Sequence, residues 1–196
     1  INRPFFICTP SILYTYFTSS DFACQTCFRY FLLLCYNVTH EVISMAIDGL
    51  LLRQLRIEIA QALPAKLLKL QQISDTELLF TLRTQTGNQN LLISLHSVYN
   101  RINFTKESYT TMEVPSNFLM LLRKQIDGGI LHTIEQLGLD RILHMELEAR
   151  NELGDIHKKH LYIELMGKYA NIILVDEDGR IVDALKRIPP FENSKR

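Results

Sequence analysis

From residue 50 onward the spacing of apolar positions changes several times, and each change marks an element. Leu51, Leu52, Leu55, Ile59 and Leu63 recur at helical spacing, with Arg53, Arg56 and Glu58 between them. This predicts a helix over 50–63, ended by Pro64, whose ring restricts the residue before it and breaks the hydrogen-bond ladder. Short runs at 66–73, 77–83 and 90–95 are strand-like, separated by Ser74-Asp75 and by Gln85-Thr86-Gly87-Asn88, both turn-forming. A further short strand fits 101–104. Helical spacing returns after Pro115: Phe118, Leu121, Leu122 and Ile126 make one stripe. Ser116 or Asn117 is the predicted cap, and Gly128-Gly129 the stop. Residues 130–137 fit a short helix ended by Gly138.

The remainder alternates with period two. Leu143, Met145 and Leu147 face one way over 142–148, and His144, Glu146 and Glu148 the other. Leu161, Ile163 and Leu165 repeat the pattern over 158–166. The segments 171–175 and 180–185 flank Asp176-Glu177-Asp178-Gly179 and predict a hairpin. Strand runs around segregated helices predict an α+β fold.

Composition changes the picture mainly before Met45. All four cysteines (Cys8, Cys24, Cys27, Cys35) lie there, and its only charged residues are Arg3, Asp21, Arg29 and Glu41. Its longest apolar run, 30–36, is far short of the ~20 residues of a spanning helix. It lacks the basic start and small-residue cleavage site of a signal peptide. The bias toward Phe, Ile, Leu, Tyr, Ser and Cys favours a third reading, that residues 1–44 are a non-native or disordered extension. Cys24 and Cys27, with Cys35 and His40, have intervals that match no common zinc knuckle, so chance clustering is preferred to a metal site.

The whole chain has 21 basic and 21 acidic side chains. Nucleic-acid contact therefore requires a local basic patch. The cysteine-free stretch after Met45 suits a reducing compartment, and a cytoplasmic protein is expected. No P-loop motif occurs, and His96, His144, His157 and His160 lack metal spacing. His144 and His160 are expected to pair across strands with Glu146 and Glu164. The residues argue for neither an enzyme nor a cofactor.

Four separated segments carry a resemblance. They are Met45-Ala46-Ile47-Asp48-Gly49-Leu50, LLRKQIDGG at 121–129, GLDRI at 138–142 and MGKYANIILVDEDG at 166–179. In that order and spacing they resemble the amino-terminal domain of the NFACT family of ribosome quality-control factors. Bacterial members are often labelled fibronectin-binding proteins. The resemblance implies a domain over 45–188, with 189–196 opening a downstream region that in full-length relatives holds a helix-hairpin-helix, a coiled coil and a second conserved domain. On that view the chain is a fragment truncated at both ends. The implied fold is a β-sandwich with flanking helices, similar to the amino-terminal domain of formamidopyrimidine-type DNA glycosylases. Their nucleophilic terminal proline has no counterpart in Met45-Ala46-Ile47, so the chemistry does not transfer.

The implied partners are large ribosomal subunits obstructed by a nascent chain, and tRNA, alanyl-tRNA in bacterial members. The implied role is untemplated tailing of the stalled chain. An adhesin that binds fibronectin is the alternative. Asp48, Asp140 and Arg141 match the family's tailing residues. Chemically, an arginine forks onto phosphate and a neighbouring carboxylate orients it or bonds a ribose or base. Asp48 is also placed to cap the first helix. Arg123 and Lys124 are candidate phosphate contacts, with Gly128-Gly129 leading into a helix start; their plain reading is charge at a helix end. Lys168 is a third candidate, with Tyr169 able to stack a base or simply to rim a turn. Relatives carry histidine where Gln125 stands and a basic or bulky residue near Ile130, which removes support for a specific base contact there.

Overall fold

A computed structural model describes residues 47–150 and 154–187. The readings of the first 44 residues, Cys24, Cys27, Cys35 and His40 among them, fall outside these residues, as does the segment 189–196. Helix α1 (Gly49–Ala60) opens the described chain. Four strands follow: β1 (Ala65–Ser74), β2 (Glu77–Thr84), β3 (Gly87–Ser94) and β4 (Arg101–Thr105). Helix α2 (Asn117–Ile126) separates them from β5 (Ile130–Gln136), β6 (Ile142–Arg150), β7 (Ile156–Glu164), β8 (Asn171–Asp176) and β9 (Ile181–Ala184). A single 3-10 turn, Gly167–Tyr169, joins β7 to β8.

The architecture is α+β, a largely antiparallel sheet with two helices among the described residues. The nine strands form one hydrogen-bonded sheet in the order β4-β3-β2-β1-β5-β6-β7-β8-β9. Its two halves pair through Ala65↔Leu131 and Lys66↔Ile130, and beside them Leu67 N donates to the Gly129 carbonyl at 2.8 Å. Both halves nevertheless feed one hydrophobic core. Leu70, Phe80 and Ile93 enter it from one half and Met145, Leu161 and Ile172 from the other. Leu52 and Ile59 of α1 and Phe118, Leu119, Leu122 and Ile126 of α2 are buried in the same cluster. Alternation in β6 behaves as its sequence predicts, with Leu143, Met145, Leu147 and Ala149 all buried.

One expected element is different. Residues 130–137 were expected to be helical, but Ile130–Gln136 is strand β5, paired antiparallel with β6. The spacing of Leu131 and Ile134 misleads. A register shift between Leu131 and Thr133 turns the alternation over, so two residues three apart both reach the core. A bulge thereby imitates helical spacing. It also removes the helix start expected after Gly128-Gly129, and with it the helix dipole that an anion would have met there. Gly129 instead lies against β6, where a Cβ would stand 2.8 Å from the Glu148 carbonyl oxygen.

Candidate nucleic-acid interface

The β5–β6 turn is tightly closed. Asp140 N donates to the Leu137 carbonyl at 3.0 Å, and Gly138 takes a φ of +61°, a left-handed value that favours glycine. Leu165 N donates to the Arg141 carbonyl at 2.8 Å, which ties the turn to the chain leaving β7. Asp140 is exposed and Arg141 half-buried. Both side chains therefore project from a backbone held on two sides.

Asp48 arrives at this turn from the far end of the sequence. Its carboxylate accepts from Leu51 N at 2.7 Å and caps α1. The next residue, Gly49, lies so close to the turn that a Cβ there would overlap the Leu139 carbonyl oxygen. Gln136 Nε2 donates to the Gly49 carbonyl at 2.8 Å and to the Asp140 carbonyl at 2.9 Å. The capping role of Asp48 and its proximity to Asp140-Arg141 thus coexist. Exposed Leu50, Leu137 and Leu139 lie in the same segments.

Lys168 belongs to the same end of the sheet. Ile142 pairs with Glu164, and Glu164 with Asn171, so the β5–β6 and β7–β8 turns are neighbours. The Lys168 ammonium lies 4.9 Å from the centre of the Tyr169 ring, an arrangement that favours the cation over the ring face. Lys186, which sequence reasoning missed, is also here. The Asn171 side chain donates to its carbonyl and accepts from its N–H, at 3.0 and 2.9 Å. Burial holds the Lys186 ammonium below its ordinary pKa. Arg187 follows, but its guanidinium forks onto Asp183 at 3.0 and 2.9 Å.

Arg123 and Lys124 do not join this group. Helix α2 leads into the start of β5, whereas the Asp140 turn follows its end, a strand length of about 20 Å away. Arg123 donates through Nε and Nη2 to the Leu70 carbonyl at 3.0 and 2.8 Å, fastening α2 to β1. Lys124 is exposed on the same helix.

The outer face of β6 and β7 carries a second polar group. His144 Nε2 and His160 Nδ1 are 3.0 Å apart, and the His144 ring stacks on Tyr162 with centroids 4.8 Å apart. Burial first, then the neighbouring His160, lowers the His144 pKa. The expected cross-strand pairing holds in register for one pair and fails for His144, which lies opposite Tyr162. Glu146 is opposite His160 in register, but its carboxylate meets Lys158 at 2.9 Å, and His144 turns to His160 and Tyr162. The Lys158 bond holds the Glu146 carboxyl below its ordinary value. Among the described residues no three His, Cys, Asp or Glu side chains gather as a metal site, and no helix is long and apolar enough to cross a membrane.

Comparison with known proteins adds independent findings. A family model described as NFACT N-terminal and middle domains matches residues 48–196. The chain is 38% identical over 162 residues to the Rqc2 homolog RqcH of Bacillus subtilis (strain 168), covering 82% of this chain and 26% of that protein. An Archaeal Rqc2 homolog, aRqcH of Methanocaldococcus jannaschii, is 33% identical over 100 residues, 51% of this chain and 14% of that protein. Among solved structures, the N-terminal part of the fibronectin/fibrinogen-binding protein from Streptococcus suis superposes with a TM-score of 0.73 at 36% identity, covering 76% of this chain and 57% of that one. The N-terminal domain of the fibronectin-binding protein PavA from Streptococcus pneumoniae gives a TM-score of 0.73 at 34% identity, with the same coverage. The chain spans about a quarter of the length of the Bacillus relative.

Proposed function

The chain belongs to the NFACT family, and from that premise we propose that it is the tRNA-engaging amino-terminal part of a cytoplasmic ribosome quality-control factor. The whole protein binds large ribosomal subunits blocked by a nascent chain and brings in aminoacylated tRNA, alanyl-tRNA by family resemblance, so that an untemplated tail is added. The ribosome supplies the peptidyl-transfer chemistry, and this protein supplies position, so it is not itself an enzyme.

The observation that carries the reading is the convergence of Asp48 with Asp140 and Arg141 through Gly49 and Gln136. Residues far apart in the sequence share one corner, with Lys168 and Lys186 at the same end of the sheet. Arg141 forks onto a phosphate, and the two carboxylates meet ribose or base donors. Arg123 and Lys124 are then placed to serve a separate stretch of the tRNA backbone. Likeness to the glycosylase amino-terminal fold is part of the same proposal and carries no glycosylase chemistry.

Replacing Asp140 and Arg141 together by alanine in the full-length protein abolishes tail synthesis on obstructed subunits. Stability changes by less than about 1 kcal/mol, as for surface substitutions. Normal tailing by the double variant contradicts the assignment.

The names of the two streptococcal structural relatives favour a second reading, a surface protein that binds fibronectin. Recovery of the natural protein from the surface of intact cells, with fibronectin binding lost on its deletion, distinguishes it.

A further inference from the structure

We infer that Gln136 is a positioning residue that sets Asp48 against the Asp140-Arg141 turn; the inference deepens the tRNA reading above and rests on it. Gln136 ends β5, and its amide nitrogen has two hydrogens. One goes to the Gly49 carbonyl, 87 positions away in sequence, and the other to the Asp140 carbonyl, four positions away. Two acceptors need two donors, so the nitrogen must face them and the amide cannot be turned over. The amide oxygen is consequently directed elsewhere, buried and accepting no hydrogen bond from the described residues. A buried acceptor without a partner is penalised. The orientation persists because the opposite one would set an oxygen against two carbonyls.

Three further constraints make this contact decisive for geometry. Gly49 permits an approach to the Leu139 carbonyl that any Cβ would block. Asp48 is fixed by its cap to Leu51 N, so locating Gly49 also locates the Asp48 carboxylate. Arg141 is held from the other side by Leu165 N. The remaining freedom is a sliding of the α1 start against the turn, which the Gln136 fork stops. A recognition site assembled from two segments loses its partner when they drift by about 1 Å.

The test uses the full-length protein and an unmodified tRNA(Ala) transcript, with affinity read by titration at one fixed salt concentration. Gln136→Met keeps the side chain's length and removes both donors. Arg141→Lys keeps the charge, so binding stays measurable, and removes the guanidinium fork. Gln136→Met is expected to weaken binding about tenfold in the natural background and less than about twofold beside Arg141→Lys, since coupled residues are not additive. A lesion that only loosened the fold would give the same factor in both. Gly49→Ala, which forces the segments apart without touching Gln136, is expected to repeat the result and decides the question if Gln136→Met fails to fold. If Arg141→Lys binds like the natural protein, the tRNA reading fails at its base. If Arg141→Lys weakens binding but Gln136→Met does not, or weakens it equally in both backgrounds, the inference about Gln136 is overturned.

Discussion

Asp48 caps α1 and, on the proposed reading, also serves in tailing, two roles that a pair of substitutions separates. Its cap to Leu51 N is worth about 1 kcal/mol by analogy with other helix caps. Asp48→Ala is therefore expected to lower stability by about that amount and also to impair tailing. Asp48→Ser keeps a capping oxygen but loses the charge, so it is expected to melt near the natural protein while still failing to tail. If Asp48→Ser tails normally, the carboxylate acts only as a cap. His144 provides a pH test at the same scale. Its pKa is lowered in the folded protein from an ordinary 6.5, chiefly by burial. Below that value the unfolded chain takes up a proton that the folded chain resists. Stability is thus present above about pH 6.5 and lost as pH falls toward the lowered value. The melting temperature is expected to fall more steeply from pH 7 to 5.5 in the natural protein than in His144→Gln; parallel curves would show that His144 contributes nothing. Among single residues, Asp48, Asp140 and Arg141 were singled out by the family resemblance. Gln136 and Lys186 were not, because their side chains donate to the Gly49 and Leu95 carbonyls, 87 and 91 positions away, which no local pattern encodes.

Elements were read well where the period was clean. Strand β6 shows strict alternation, and α2 carries its cap at Ser116, whose side chain accepts from Leu119 N at 3.2 Å. The β8–β9 hairpin follows its turn residues, with Arg180 N donating to Asp176 at 2.8 Å. Strand β5 was misread because its bulge spaces Leu131 and Ile134 as a helix would. That single error also supplied the helix start on which the anion reading after Gly129 rested. Long-range contacts changed the reading of Arg123 as well. At a helix end it looks like a cation awaiting a phosphate, yet it is the clamp between α2 and the Leu70 carbonyl. Arg123→Ala is accordingly expected to lower stability by about 1–3 kcal/mol by leaving a charge-assisted acceptor unmet. Tailing by the folded fraction should persist. Loss of tailing with unchanged melting would return Arg123 to the tRNA surface.

At the scale of the molecule, we propose that residues 1–44 are dispensable to the core of the described residues, which begins at Ile47. Every residue named in its cluster lies between Ile47 and Leu174, and the partly buried residues packed on it end at Leu185. A chain beginning at Met45 is therefore expected to melt at the same temperature as the full sequence. A drop of several degrees would mean that residues 1–44 pack on the domain. The sequence indicated the α+β class and the clustering of apolar strands, but not that both half-sheets would join through two residue pairs of β1 and β5. On the proposed reading, the end of the sheet that matters gathers Asp48, Asp140, Arg141 and Lys168, with Lys186 nearby, while Arg123 and Lys124 lie toward the other end of β5. The central claim is that this end grips tRNA through its phosphates although the chain has no net charge. Its most direct test is a titration of tRNA against the chain over a salt series, repeated with Arg141→Ala and Lys168→Ala. Two phosphate contacts, from Arg141 and Lys168, predict that the logarithm of affinity falls with that of salt with a slope of about −1.4, near −0.7 per contact. Each substitution should make the slope shallower by about one contact. Affinity that ignores salt, or slopes unchanged by both substitutions, would contradict the account.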